Sequence, residues 1–246
     1  MIVSPEAELQ TPSGKTVPPA LVALVAPDTG MERQAKTGTV WPWVLVAMVC
    51  SLLFGVAQAV RVDARATTLK KLESSGQLEN MSDRQIDDET KSAERLYQVV
   101  RVAGGLADAP LSLGLSCLAV VGLTWFLRGR VKGASVVPVA AATLLPGSIA
   151  NLLGAGAAFQ HAALSPNQSV PLAPRSVSAL FALFEHPLSG PWLKLGNAFD
   201  FFSLWAAVMM AFGVAATGDI PVRRALIGTL VAWVCLRLLT NVATGG

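Results

Sequence analysis

Two apolar runs near the C-terminal end of the chain, joined by a short charged turn, restrict the fold more than any other feature. The stretch from Asp200 reads D-F-F-S-L-W, stays apolar from Ala206 to Thr217, turns through Gly218-Asp219-Ile220-Pro221-Val222-Arg223-Arg224, and is apolar again from Ala225 to Val242. With the flanking aromatics, each run reaches the roughly 17 to 25 residues that a helix needs to cross a bilayer. The two read as a transmembrane hairpin. Folding it at the turn brings Asp200 level with Arg237 and Trp205 level with Trp233.

The rest of the chain is compatible with that reading. Hydrophobic residues make up 52% and charged residues 14%, where soluble domains approach about a quarter charged. A multi-pass membrane protein of the all-α class is therefore expected. The net charge of +3 gives no support to nucleic-acid binding, because in such a protein the side on which basic residues sit matters more than their sum. Cys50, Cys117 and Cys235 all fall inside apolar runs, where a thiol packs as a small hydrophobe. Met1-Ile2-Val3-Ser4-Pro5-Glu6 has neither the basic start nor the apolar core of a signal peptide, so the first span is expected to direct insertion.

Residues 1–39 hold five prolines and three glycines among mixed charges and are expected to form a disordered tail, because they can bury too little apolar surface to offset the entropy of ordering. Gly14-Lys15-Thr16 resembles the end of a phosphate-binding loop, but Leu9 stands where its first glycine belongs. The first span covers about residues 40–60, with Trp41 and Trp43 as interfacial anchors. Residues 61–108 carry eight Lys/Arg and nine Asp/Glu. They are expected to form an extramembrane helical hairpin, its first arm a continuation of the first span as an amphipathic helix to Gly76. The second helix would be capped at Ser82 with Gln85 and end near Gly104-Gly105.

Further spans are expected at about 109–127, 134–159, 199–217 and 225–242. The third carries Pro138 and Pro146, which predict kinks, and a strip of small residues at Ala150, Gly154 and Ala158 that admits a neighbouring helix. Between it and the fourth span, Ser178–Glu185 reads as a short interfacial helix and His186–Trp192 as a rigid turn. The sum is a five-helix transmembrane bundle, residues 40–242, with the hairpin between spans one and two. Arg128, Arg130 and Lys132 in one short loop and Arg223-Arg224 in another place those loops in the cytoplasm. The N-terminus is then cytoplasmic and the C-terminus extracytoplasmic. Arg61, Arg65, Lys70 and Lys71 oppose this assignment, but long loops translocate largely regardless of charge.

The last hairpin also carries a local pattern: Asp200, Phe202 and Trp205 lead span four, Gly213 lies midway, Gly218 closes it, and Ala225 opens span five. In this pattern and in its five-span architecture the chain resembles the bacterial branch of the Yip (Ypt-interacting protein) family. The resemblance implies a non-enzymatic protein of the bacterial inner membrane that acts through membrane-protein partners, in some cases beside ABC-type exporters. The D-L-Y-G-P element of eukaryotic members is missing, so binding of a Rab-type GTPase does not carry over.

No catalytic, cofactor or metal set is apparent. His161 and His186 lack ligand partners at suitable spacing. Gly133-Ala134-Ser135 is similar to the serine motif of rhomboid proteases, but Val136 follows and no histidine lies in an expected span. Chemistry is left to an intramembrane polar cluster of Asp108, Asn151, Asp200 and Arg237, read as structural glue or as an ion, proton or headgroup site. Ala150, Gly154, Ala158, Trp205, Gly213 and Trp233 are the expected packing positions. The partners expected are the bilayer and a membrane protein, with an ABC-type exporter as the candidate, or further copies of the chain. The alternative to an accessory role is a small transporter or channel built on the polar cluster.

Overall fold

The computed structural model describes residues 17–160 and 199–243. The Gly14-Lys15-Thr16 string, both histidines, the Ser178–Glu185 segment and the His186–Trp192 turn lie outside these residues. Every regular element among the described residues is helical: α1 (Pro19–Val25), α2 (Pro27–Thr37), α3 (Trp41–Arg61), α4 (Ala64–Ser74), a 3-10 turn (Leu78–Asn80), α5 (Asp83–Phe126), α6 (Gly133–Thr143), α7 (Leu145–Gln160), α8 (Phe201–Gly218) and α9 (Val222–Ala243). Four helical stretches are long and apolar enough to cross a membrane: α3, α5, α6 with α7, and α8. The chain divides into two compact units.

The first unit contains α1, α2, the start of α3, the last third of α5, α6, and most of α8 and α9. Val120, Val139, Met209 and Val214 are fully buried at its centre. Met31 of α2 joins them. The N-terminal segment therefore departs from the expected tail: residues 19–37 form two helices that belong to this core. A composition count scores the segment as too polar to fold alone, but it borrows apolar partners from distant spans. Gly30 sits so close to Ala23 that a Cβ there would meet its backbone nitrogen at 2.2 Å. Gln34, completely buried, donates from Nε2 to the carbonyls of Thr39 at 2.5 Å and Pro138 at 3.2 Å.

Helices α5 and α8 end side by side. Gly129 N–H donates to Thr124 and Arg128 N–H to Trp125, while Ile220 N–H donates to Ala215. These are Schellman-type ends, and the residues in the left-handed position are Arg128 (φ 58) and Asp219 (φ 52) instead of glycine. The backbone N–H groups of Arg130 and Lys132 donate to the carbonyls of Gly218 and Thr217, and Lys132 Nζ pairs with Asp219 Oδ1 at 2.6 Å. The two basic loops thus lie against each other. Arg128→Gly is expected to stabilise the protein by about 1 kcal/mol by removing the cost of a Cβ in that conformation, read as a raised midpoint of thermal unfolding.

The second unit contains most of α3, α4, the first two thirds of α5, most of α7, and the entry to α8. The first span does not run on to Gly76. It stops at Arg61, and Asp63, whose carboxylate accepts from Ala66 N–H at 2.8 Å, caps a separate α4. Ser82 N–H donates to Gln85 Oε1 at 2.9 Å at the start of α5, as the capping-box pattern predicts. Arg65 and Lys91 both pair with Asp87, tying α4 to α5.

The largest departure is at Gly104-Gly105, where a helix end was expected. Helix α5 passes through both for 44 residues, about 66 Å at 1.5 Å per residue, roughly twice the hydrocarbon thickness. The expected second arm of the hairpin and the expected second span are therefore one continuous helix. Gly105 is a contact point: a Cβ there would lie 2.8 Å from the Ser51 carbonyl oxygen, and one at Gly55 would lie 2.5 Å from that of Arg101. Backbones approach closely, with small residues at Ser51 and Gly55 facing Gly105. In the third span, α6 runs through Pro138 and the helix breaks at Leu144, just before Pro146, which has no N–H to continue the ladder.

Candidate functional site

A cleft of about 480 Å³ lies within the second unit. Helix α3 contributes Ser51, Phe54, Gly55 and Gln58, and α5 contributes Arg101, Gly104, Gly105 and Asp108. Both sets follow the i, i+3, i+4, i+7 spacing of one helical face. Helix α7 adds Asn151. The glycines at the crossing bring the two faces close enough for their short polar side chains to meet.

Ser51 is the joint. Its Oγ donates to Asp108 Oδ2 at 2.7 Å and accepts from Asn151 Nδ2 at 2.8 Å. Ser112 Oγ adds a longer contact to Asp108 Oδ1 at 3.4 Å. Ser51 and Gln58 are each 5% exposed. The Gln58 side chain also lines the cleft. At the other end, the Arg101 guanidinium lies over the Tyr97 ring, 5.0 Å from its centroid. Among the described residues neither Arg101 nor Asp108 forms an ion pair. The exposed Asp108 carboxylate, the half-buried Arg101 guanidinium and the Gln58 side chain therefore line one open cleft.

Of the expected cluster, Asp108 and Asn151 meet here, through a serine that the sequence reading did not single out. Asp200 belongs to the same unit but serves another purpose: its Oδ1 accepts the Phe202 N–H at 2.9 Å, and its carbonyl accepts Ser203 Oγ. This is an N-cap on α8, and an aspartate one residue before an apolar run is a signal for it. Asp200→Ala is expected to cost about 1 kcal/mol through the lost cap, measured by thermal unfolding. Asp200→Asn, which keeps the acceptor, is expected to stay near wild type. Arg237, in the first unit, places its guanidinium 6.0 Å from the Trp233 ring centroid, one turn away.

The packing positions distribute over both units. Ala150, Gly154 and Ala158 are buried along one face of α7, and Ala158 packs with Ala57, Val62 and Ala155. Gly213 faces Val139, whose Cγ1 would stand 2.3 Å from a Cβ there. Trp205 and Trp233 are half-buried. The sequence reading did not single out Ser51, Gln58 and Arg101. Their signal was a serine and a glutamine seven residues apart inside an otherwise apolar span, matched by polar and small residues at the same spacing on α5.

Comparison with protein-family models, with curated proteins and with solved structures finds no match to this chain.

Proposed function

We propose that this chain is a non-enzymatic accessory or assembly protein of the bacterial inner membrane that acts through a membrane-protein partner. The observation that carries this reading is the lateral face of α5. Its apolar window is 11% buried within the chain, against 44% to 67% for the other three candidate spans. Leu111, Leu115, Leu118 and Trp125 are all well exposed. A span so little used by its own chain offers a surface for another protein's helices, beside the lipid that covers any such face. The Yip-family resemblance makes an ABC-type exporter the candidate partner.

In this reading α9 is the fifth span. It has 22 residues, with Arg223 and Arg224 at one interface and Arg237 close enough to the other to extend its head toward water. The two basic loops lie together and are cytoplasmic by the positive-inside rule. Asp28, Glu32 and Lys36 of α2 line a cleft with Lys132 and Asp219 of those loops, which supports an N-terminus on the same side. The C-terminus is then extracytoplasmic.

Affinity purification in mild detergent tests the proposal. A stoichiometric membrane-protein partner is expected. A clean homo-oligomer that conducts solute in liposomes would sink it. That second outcome is the transporter reading, which draws on the polar cluster that includes Asp108 and Asn151, joined here through Ser51.

A further inference from the structure

We propose that α1 and α2 form a half-inserted hairpin, in which the outward face of α1 (Pro18, Leu21 and Val25) sits among the lipid acyl chains of one leaflet. The leaflet is the one on the side of the two basic loops. This holds with or without a protein partner, given only that the long apolar helices cross a membrane.

Contacts within the first unit fix the level of the hairpin. Gln34 of α2 donates from Nε2 to the Pro138 carbonyl at 3.2 Å, and Met31 Cε would stand 3.3 Å from a Cβ at Gly213. Pro138 and Gly213 each lie five residues inside their helix ends at Gly133 and Gly218, about 8 Å at 1.5 Å per residue. The two ends are level with each other, since Lys132 N–H donates to the Thr217 carbonyl. Gln34 also donates to the Thr39 carbonyl, two residues before Trp41 opens α3. The hairpin therefore lies against the terminal turns of α6 and α8 instead of beyond them. In a bilayer this is the boundary between headgroups and acyl chains, where interfacial helices bury an apolar face about 5 to 10 Å deep.

The two helices expose opposite chemistry at that level. No charged residue falls between Lys15 and Asp28. Ala20, Val22 and Ala23 of α1 are buried, while Pro18, Leu21 and Val25 recur at three- and four-residue spacing on its open face. Val25 is 89% exposed. Helix α2 instead exposes Asp28, Thr29, Glu32 and Lys36, which line a cleft with Lys132 and Asp219 of the loops. One arm suits acyl chains and the other suits water.

The backbone of the hairpin is fitted to the same surroundings. A helix start leaves N–H groups unpaired, and hydrocarbon offers them no partner. Pro18 and Pro19 at the start of α1 and Pro27 at the start of α2 have no N–H to leave. Leu21 and Val22 donate to the Pro18 carbonyl, Ala26 to that of Val22, and Gly30 to that of Ala26. With seven residues α1 is about 10 Å long, roughly a third of the hydrocarbon thickness. It can enter one leaflet and cannot cross both.

Photolabelling of the full-length wild-type protein in phospholipid nanodiscs tests this. One probe is a phospholipid with a diazirine on its acyl chain, and the other is a water-soluble diazirine. Mass spectrometry after trypsin reads the labelled residues: the peptide 16–33 contains all of α1, and the peptide 37–61 contains α3 and serves as the reference for a span. The lipid probe is expected to modify Leu21 and Val25 at yields comparable with the 37–61 peptide. The water-soluble probe is expected to modify Glu32 and to leave Leu21 and Val25 largely unmodified. Absence of lipid labelling at both Leu21 and Val25 would overturn the proposal. Water labelling in its place would mean that α1 faces the solution, and protection from both probes would mean that protein, a second copy included, covers this face. Labelling of Leu21 and Val25 by the water-soluble probe as heavily as Glu32 would overturn it as well.

Discussion

Gly55→Ala is expected to lower stability by at least about 2 kcal/mol, because the added methyl meets a backbone atom that has nowhere to go. The Arg101 carbonyl oxygen would stand 2.5 Å from the new Cβ, roughly 1 Å inside normal contact. That oxygen belongs to the middle of α5, so relief requires separating two helices, which is the costly form of overpacking. The Ser51 bond to Asp108 is one turn away and would open with them. Gly104→Ala supplies the control. It lies on the same helix crossing, but nothing stands within 4 Å of its Cβ position. Its expected effect is neutral or stabilising by up to about 1 kcal/mol, through helix propensity alone. Thermal unfolding of the two variants in one detergent decides the matter. Equal effects would mean that the crossing is looser than its geometry indicates.

The second large effect is expected at Gly30→Ala. The new methyl would meet Ala23 at 2.2 Å from its nitrogen and 2.3 Å from its Cα. No rotamer change relieves a clash between two backbones. Helix α1 has seven residues and no side-chain cap, too few to persist once undocked, so the substitution should release it from α2. Limited trypsin digestion reads this out. The variant is expected to be cut at Arg33 or Lys36 well before the wild type, because α2 loses cover as α1 leaves. Unchanged protection of both sites would show that the N-terminal pair is held by Met31 and Gln34 alone.

These two glycines also mark where sequence reasoning reached its limit. Both were visible as residues, but a glycine has the same signature as a loop former, a helix end or a packing contact. At Gly104-Gly105 the local rules favour a helix end, since each glycine costs helix propensity. The crossing with α3 outweighs that cost at Gly105, and the evidence for it lies some fifty residues away, at Ser51 and Gly55. In the same way, residues 19–37 lack enough apolar surface of their own. They are ordered by Val139, Met209 and Gly213, which no local window contains.

What the sequence determined by itself is the class of structure and the ends of most helices. Long apolar runs place α3, α8 and α9 to within a few residues, because whether such a run is helical depends largely on its own composition. The Ser82–Gln85 cap and the Pro146 break are equally local. Only the tertiary structure decided which polar groups meet. Asp108, Asn151, Asp200 and Arg237 were all recognisable as expensive residues in apolar surroundings, yet their costs could be offset in several ways. Asp200 finds its backbone partner two residues along, whereas Asp108 and Asn151 find theirs in one serine on a third helix. That choice rests on backbone approach between distant helices, a property of the packed molecule and of no single segment.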